Sequence, residues 1–148
     1  MAVQERKASV VLQGNMRIGS GTVDGASGAF SGLPISFSER LDGEATAASP
    51  EEFIASAHAA SYVMALSNTL GSNGSQPERI EVTAACELDR TPDGLAITRS
   101  RLDVKGVVPR LDEESFVSMA DKAETKCLVS NAIRGNVEIE LNAELVES

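Results

Sequence analysis

The sequence is short of metal ligands, of positive charge and of long apolar runs. It has one histidine and two cysteines, Cys86 and Cys127, with no CxxC pair. That argues against a structural zinc site, which needs several His or Cys ligands at close spacing, and no metal or other cofactor is expected. Thirteen Lys and Arg against 22 Asp and Glu leave a net charge of −9. This is the wrong sign for a nucleic-acid backbone and for an anionic membrane surface, and its plainest reading is solubility. The longest apolar stretch, residues 53–66, is too short for a bilayer and carries Ser56, His58 and Ser61. The opening MAVQERKASV is charged and lacks the apolar segment of a signal peptide. A reducing cytoplasm is therefore the expected compartment, where thiols serve redox chemistry rather than stapling. There is no internal repeat and no low-complexity tract.

What is present is an ordinary globular composition, 42% hydrophobic and 24% charged, on 148 residues. That length fits one domain, residues 1–148, with a core of real size. ASVVLQGNMRIGSGTVDG has short β-branched runs broken by glycines and reads as a hairpin or meander. GLPISFSERL alternates Leu33, Ile35 and Phe37 with polar neighbours and reads as a third, half-buried strand.

The strongest local signal runs from residue 44 to residue 74. Ser49 reads as an N-cap, Pro50 as the first helical residue, and Glu52 as the third position of a capping box. Glu51 and Glu52 complement the positive end of the helix dipole. The helix is expected from Pro50 to about Leu70, stopping at Gly71 as a left-handed C′ residue. Its body is apolar almost all round, and six small residues between Ala55 and Ser61 let another backbone come close. Such a helix needs cover on every side, so the pattern points to a two-fold dimer in which two helices pack between sheets.

Downstream, RIEVTAACEL puts Ile80, Val82, Ala84, Cys86 and Leu88 on one face. A turn and a second strand, residues 95–107, complete a hairpin. The apolar phase of that second strand shifts between Ile97 and Leu102, which predicts a bulge. Asp112 caps a helix whose apolar positions Phe116, Met119, Ala120, Ala123 and Cys127 share one face. A short helical piece, LVSNAIRG, leads to Gly135, and a last strand over residues 136–148 buries Val137, Ile139, Leu141, Ala143 and Leu145. The order is three strands, long helix, two strands, helix, strand: an α+β fold with antiparallel sheet.

Few residues offer chemistry. Ser61 lies one turn after His58, but no G-x-S-x-G elbow is present, and a mid-helix serine is a poor nucleophile. His58 reads as a packed, hydrogen-bonded side chain. Cys86, on the inward face of an alternating strand, reads as a small hydrophobe. Cys127 falls at the junction of two helical pieces, after Lys122 and Lys126, where a thiolate is favoured.

SFSERLDGEATAASPEEFIASAHAASYVMALSNTLG, followed by KAETKCLVSNAI, resembles the OsmC family of thiol peroxidases, relatives of the organic hydroperoxide resistance proteins. The PEEFIASAHAA block is specific to that family, and the resemblance, closest to its OsmC branch, spans essentially the whole chain. It implies antiparallel sheets wrapped around long central helices in an intertwined homodimer. It also implies a cytoplasmic two-cysteine enzyme of oxidative-stress defence, reducing organic hydroperoxides, and hydrogen peroxide less well, with electrons from a small or protein dithiol. The family's peroxidatic Cys falls on Ser61 and its resolving Cys on Cys127. The Arg and Glu of its site fall on Arg40 and Glu51.

Each of those roles has a physical reason. A guanidinium stabilises a thiolate and polarises a peroxide, and a carboxylate orients the guanidinium. The sulfenic acid formed on attack condenses with a second thiol, and exchange with a reductant reopens the disulfide. Glu51 and Ser61 are ten residues apart on one helix, roughly 15 Å along its axis. Either Arg40 bridges that gap or Glu51 serves the site from the other subunit, so a site at the subunit interface is expected. Two departures from the family pattern stand out. Leu128 replaces a Pro after the resolving Cys, and Ser61 replaces the reactive thiol. A serine hydroxyl stays protonated at neutral pH and has no counterpart to a sulfenic acid, so this chain is expected to lack peroxide reduction. The alternative expectation is a non-catalytic member of the family that binds a hydrophobic small molecule at the dimer interface.

Overall fold

The computed structural model of the protein describes residues 1–147. Ser148, the end of the expected last strand, lies outside them. Contacts divide the chain into two compact units, Met1–Pro50 and Glu51–Ser148.

In the first unit β1 (Ala8–Gln13) and β2 (Ser20–Gly25) form the expected hairpin, and β3 (Leu33–Ile35) adds to β2, all antiparallel. Val23 is buried, whereas every residue of β1 is exposed. The third strand is shorter than expected, because Ser36 turns the chain into a helical turn, α1 (Phe37–Arg40). Ser36 sits at an extended φ of −147° and its hydroxyl accepts from Glu39 N at 3.4 Å. The Ser-x-x-Glu spacing of an N-cap therefore overrides the alternation that would have carried Phe37 into the strand. Glu39 Oε2 then accepts from Thr46 N at 3.0 Å and Ala47 N at 2.7 Å, folding the loop after α1 back on itself.

The second unit is organised around α2 (Pro50–Ser72). The helix starts at Pro50 as expected but runs past Gly71. Its left-handed C′ residue is Gly74, at φ +80°. There Gly74 N donates to Gly71 O at 3.0 Å and Ser75 N to Leu70 O at 2.9 Å, the paired bonds of a Schellman motif. Gly71 has the residue type for a stop, but Gly74 has the bonds. The helix is not equally buried all round. His58, Tyr62, Leu66, Thr69 and Leu70 form a buried stripe, while Ala57, Ala60 and Met64 are exposed.

β4 (Arg79–Thr91) and β5 (Gly94–Val107) make the expected antiparallel hairpin. The register runs Glu87↔Arg99 and then Leu88↔Ile97, which leaves Thr98 as the extra residue of a bulge where the phase shift predicts one. Asp112 caps α3 (Glu113–Lys126) through Ser115 N at 2.7 Å. α4 (Leu128–Ile133) follows after Cys127, and β6 (Glu138–Leu145) ends the unit. The sheet order is β4-β5-β6, but β6 runs parallel to β5. The expectation of purely antiparallel sheet is corrected here. α3 and α4 form a crossover that returns the chain to the same end of the sheet, the connection a parallel pair requires.

The core of this unit joins α2, β5 and α3. Tyr62, Leu66, Leu70, Leu102 and Phe116 are fully buried, and each such side chain contributes about 1.5–3 kcal/mol through burial. α3 lies so close to β5 that a Cβ on Gly106 would stand 2.5 Å from the Phe116 ring. Only glycine allows that approach.

Candidate functional site

α2 and the α3–α4 junction bring Ser61 and Cys127 together. Cys127 closes α3 and caps α4, so its side chain is held at the corner between two helices. The Cys127 thiol donates to Ser61 Oγ at 3.3 Å, and Val129 N donates to the same hydroxyl oxygen at 3.4 Å. Ser130 N donates to Cys127 Sγ at 3.5 Å. Both side-chain heteroatoms are thus received by backbone amides from the first turn of α4. Cys127 is fully buried, and Ser61 is half-buried.

His58, one turn before Ser61, is fully buried and bonded at both ring nitrogens. Nδ1 meets Ser100 Oγ at 2.6 Å and Nε2 meets Ser130 Oγ at 2.7 Å. Burial holds its pKa below the ordinary imidazole value. Glu124 pulls it up and Arg134 pulls it down, while these two groups pair with each other at 2.8 Å. A neutral imidazole has one donor and one acceptor nitrogen, and a serine hydroxyl can answer either. The next turn places Tyr62, whose hydroxyl donates to Ala120 O at 2.9 Å and whose pKa is pushed up by burial. No nitrogen of His58 is left to activate Ser61, so the arrangement does not support a Ser–His hydrolase.

Of the other expected site residues, Arg40 belongs to the first unit and Glu51 to the second. Glu51 is buried in the first turn of α2, ten residues before Ser61 and so roughly 15 Å along the axis. Cys86, on β4, is only half-buried rather than fully buried. Burial pushes its thiol up, and the Glu51 and Glu87 carboxylates push the same way, so it is a poor thiolate. Arg40 ends α1 in the first unit. There it lines a cavity of about 170 Å³ as the one charged group among Leu12, Met16, Ile35 and Phe37. Among the described residues no group of three or more His, Cys, Asp or Glu side chains is placed to hold a metal ion.

Sequence reasoning identified Ser61 and Cys127 but not Ser100 or Ser130. Ser130 carried a readable signal, since it falls three residues after the helix-capping Cys127. Ser100 carried only its even phase with Leu102 and Val104 on β5.

Residues 43–142 match the family model described as OsmC-like protein. The chain is 36% identical to the Peroxiredoxin OsmC of Escherichia coli over 135 residues, covering 91% of this chain and 94% of that protein. It is 31% identical over 112 residues to the Organic hydroperoxide resistance protein-like 1 of Staphylococcus epidermidis, covering 74% and 76%. Among solved structures, the fold is similar to that of an organic hydroperoxide resistance protein from Elizabethkingia anophelis. That match has a TM-score of 0.78 at 21% identity and covers 98% of this chain and 100% of the other. No helix among the described residues is long and apolar enough to cross a membrane.

Proposed function

The chain belongs to the OsmC-like protein family, and we propose that it carries the framework of a thiol-dependent hydroperoxide reductase with serine at the position of the reactive thiol. The observation that carries this reading is the 3.3 Å contact between Ser61 Oγ and Cys127 Sγ. Two side chains 66 residues apart in sequence meet where a peroxidatic and a resolving sulfur have to meet. The names of the relatives above, a peroxiredoxin and a hydroperoxide resistance protein, point to the same chemistry.

With cysteine at position 61 the cycle is closed and balanced. The thiolate attacks the distal peroxide oxygen of ROOH, the O–O bond breaks, and ROH leaves after taking a proton. The sulfenic acid left at position 61 is attacked by the Cys127 sulfur, which expels water and forms a disulfide. A dithiol reductant, small or protein, then reopens that bond by two exchanges. Arg40 and Glu51 are assigned as the cation that lowers the thiol pKa and the carboxylate that orients it. With Ser61 the first step has no nucleophile of this kind, so the chain as it stands does not reduce peroxide.

The functional unit in this reading is a cytoplasmic homodimer whose single domain spans the chain, with the site at the subunit interface. The exposed small and apolar side chains of α2, Ala57, Ala60 and Met64, support it, because they lie on the same helix as Ser61 and suit close helix packing.

The test is Ser61→Cys, assayed with cumene hydroperoxide and dithiothreitol. Turnover is expected in the variant and none above background in the parent chain. An inert Ser61→Cys variant would remove the peroxidase reading and leave a protein that binds a hydrophobic small molecule at its subunit interface. Arg40→Ala in the Ser61→Cys chain is expected to raise the thiol pKa. An unchanged pH profile would take Arg40 out of the mechanism.

A further inference from the structure

Nothing in the two-thiol scheme uses His58, yet this side chain is hydrogen-bonded at both ring nitrogens. It is fully buried on α2, and its ring spans from Ser100 on β5 to Ser130 on α4, with both serines themselves fully buried. A polar group taken out of water on three elements at once has to be satisfied on all three. Here the satisfaction is complete.

We infer that His58 is a positioning residue for the residue 61–Cys127 pair: by linking Ser100 to Ser130 it fixes the first turn of α4, and with it the reach from Cys127 Sγ to position 61. The inference rests on the reading of that pair given above. The chain of bonds is short. His58 Nε2 meets Ser130 Oγ at 2.7 Å, Ser130 N donates to Cys127 Sγ at 3.5 Å, and Val129 N donates to Ser61 Oγ at 3.4 Å. Ser130 therefore faces two ways, its side chain to the imidazole and its amide to the thiol. β5 supplies the fixed end, since Ser100 lies between paired strands, opposite Cys86 on one side and Ile139 on the other. His58 and Ser61 share one turn of α2, so the same helix that carries position 61 also anchors the partner of Cys127. A packed apolar ring of similar size would fill the space but leave Ser100 and Ser130 without this partner, and α4 free to turn.

The experiment separates positioning from peroxide chemistry by driving disulfide closure in two ways. In the Ser61→Cys chain, closure between positions 61 and 127 is timed by rapid quench and mass spectrometry, once with cumene hydroperoxide and once with diamide. Diamide oxidises a dithiol directly and is itself reduced to the hydrazine. His58→Phe keeps the ring volume, and His58→Gln keeps a donor and an acceptor. Closure is expected to slow at least about tenfold in His58→Phe and to recover to within about threefold in His58→Gln, as for reacting groups displaced by a fraction of an ångström. The rate of sulfenic acid formation at position 61, trapped with dimedone, should stay unchanged. Ser130→Ala should slow closure as His58→Phe does, which keeps the test alive if the latter fails to fold. If hydroperoxide leaves the Ser61→Cys thiols untouched while diamide closure still depends on His58, the peroxidase reading fails and the positioning role stands. Equal diamide closure in the His58→Phe, Ser130→Ala and parent thiol chains would overturn the positioning role. So would slow closure in His58→Phe that His58→Gln does not rescue.

Discussion

Residues 1–50 and residues 51–147 each contain a three-stranded sheet, but the two sheets bury their residues very differently. In the second unit β5 runs through the middle of the sheet, and Ser100, Leu102 and Val104 face a core shared with α2 and α3. In the first unit no helix longer than α1 is present, and Val10, Val11 and Leu12 on β1 remain more than half exposed. A small sheet needs a buried apolar face or a packed helix for independent stability, and β1 buries none of its residues. The contrast assigns separate tasks. The second unit holds the Ser61–Cys127 contact beside a packed core, while the first carries the exposed apolar residues of β1 and the Arg40 cavity.

Three measurements break or sharpen that contrast. Phe116→Ala, in the second unit, should show the largest effect, a loss of about 3–5 kcal/mol in urea unfolding, because Phe116 is fully buried against Gly106. A loss below 1 kcal/mol would mean that the core is not where the packing puts it. Smaller is the pH response of the same unit. The His58 pKa lies below its ordinary value of 6.5, so as pH falls through 6.5 the unfolded chain takes up a proton that the folded one resists. Stability should therefore decline as pH drops from about 6.5 toward the carboxylate range, and His58→Gln should flatten that slope. The depressed carboxylates Asp24 and Asp112 act lower, with stability lost as pH falls below their ordinary value of 3.8, so the two windows are separable. The smallest effect belongs to the first unit. Val11→Ser should cost no more than about 0.5 kcal/mol at low protein concentration. A cost that grows with concentration is expected if a second copy covers β1, and a constant one would deny that cover.

Much of this architecture was legible in local pattern. The Pro50 start of α2, the Asp112 cap, the Thr98 bulge and the inward phase of β5 all follow from spacing within a few residues. The Ser61–Cys127 contact was legible only through family resemblance, since no local rule links residues so far apart. Three features escaped for physical reasons. The direction of β6 depends on the crossover path of α3 and α4, which no strand periodicity encodes. α1 was hidden because Ser36–Glu39 satisfies both an alternating pattern and a capping spacing, and the hydrogen bond decided between them. The Ser100–His58–Ser130 chain spans separations of 42 and 72 residues, and a serine facing inward on a strand looks the same in sequence as one facing solvent.

The bulge at Thr98 has a consequence for how this protein tolerates changes in length. Its hydroxyl is tied to the Asp89 carboxylate across the hairpin, and its unpaired position lets Ile97 and Ser100 share one face of the sheet although they are three residues apart. The tip of the hairpin, residues 88–97, and the stretch that carries Ser100 therefore keep their phase independently. Insertions or deletions in pairs at the tip leave the imidazole's partner in place. Loss of Thr98 alone would leave Ile97 two residues before Ser100, so an unbroken strand would keep both on one face and only the local kink of the bulge would go. The one surplus residue of the hairpin is thus one that can be dropped without turning Ser100 away from the imidazole, whereas a single residue lost between Thr98 and Ser100 could not be.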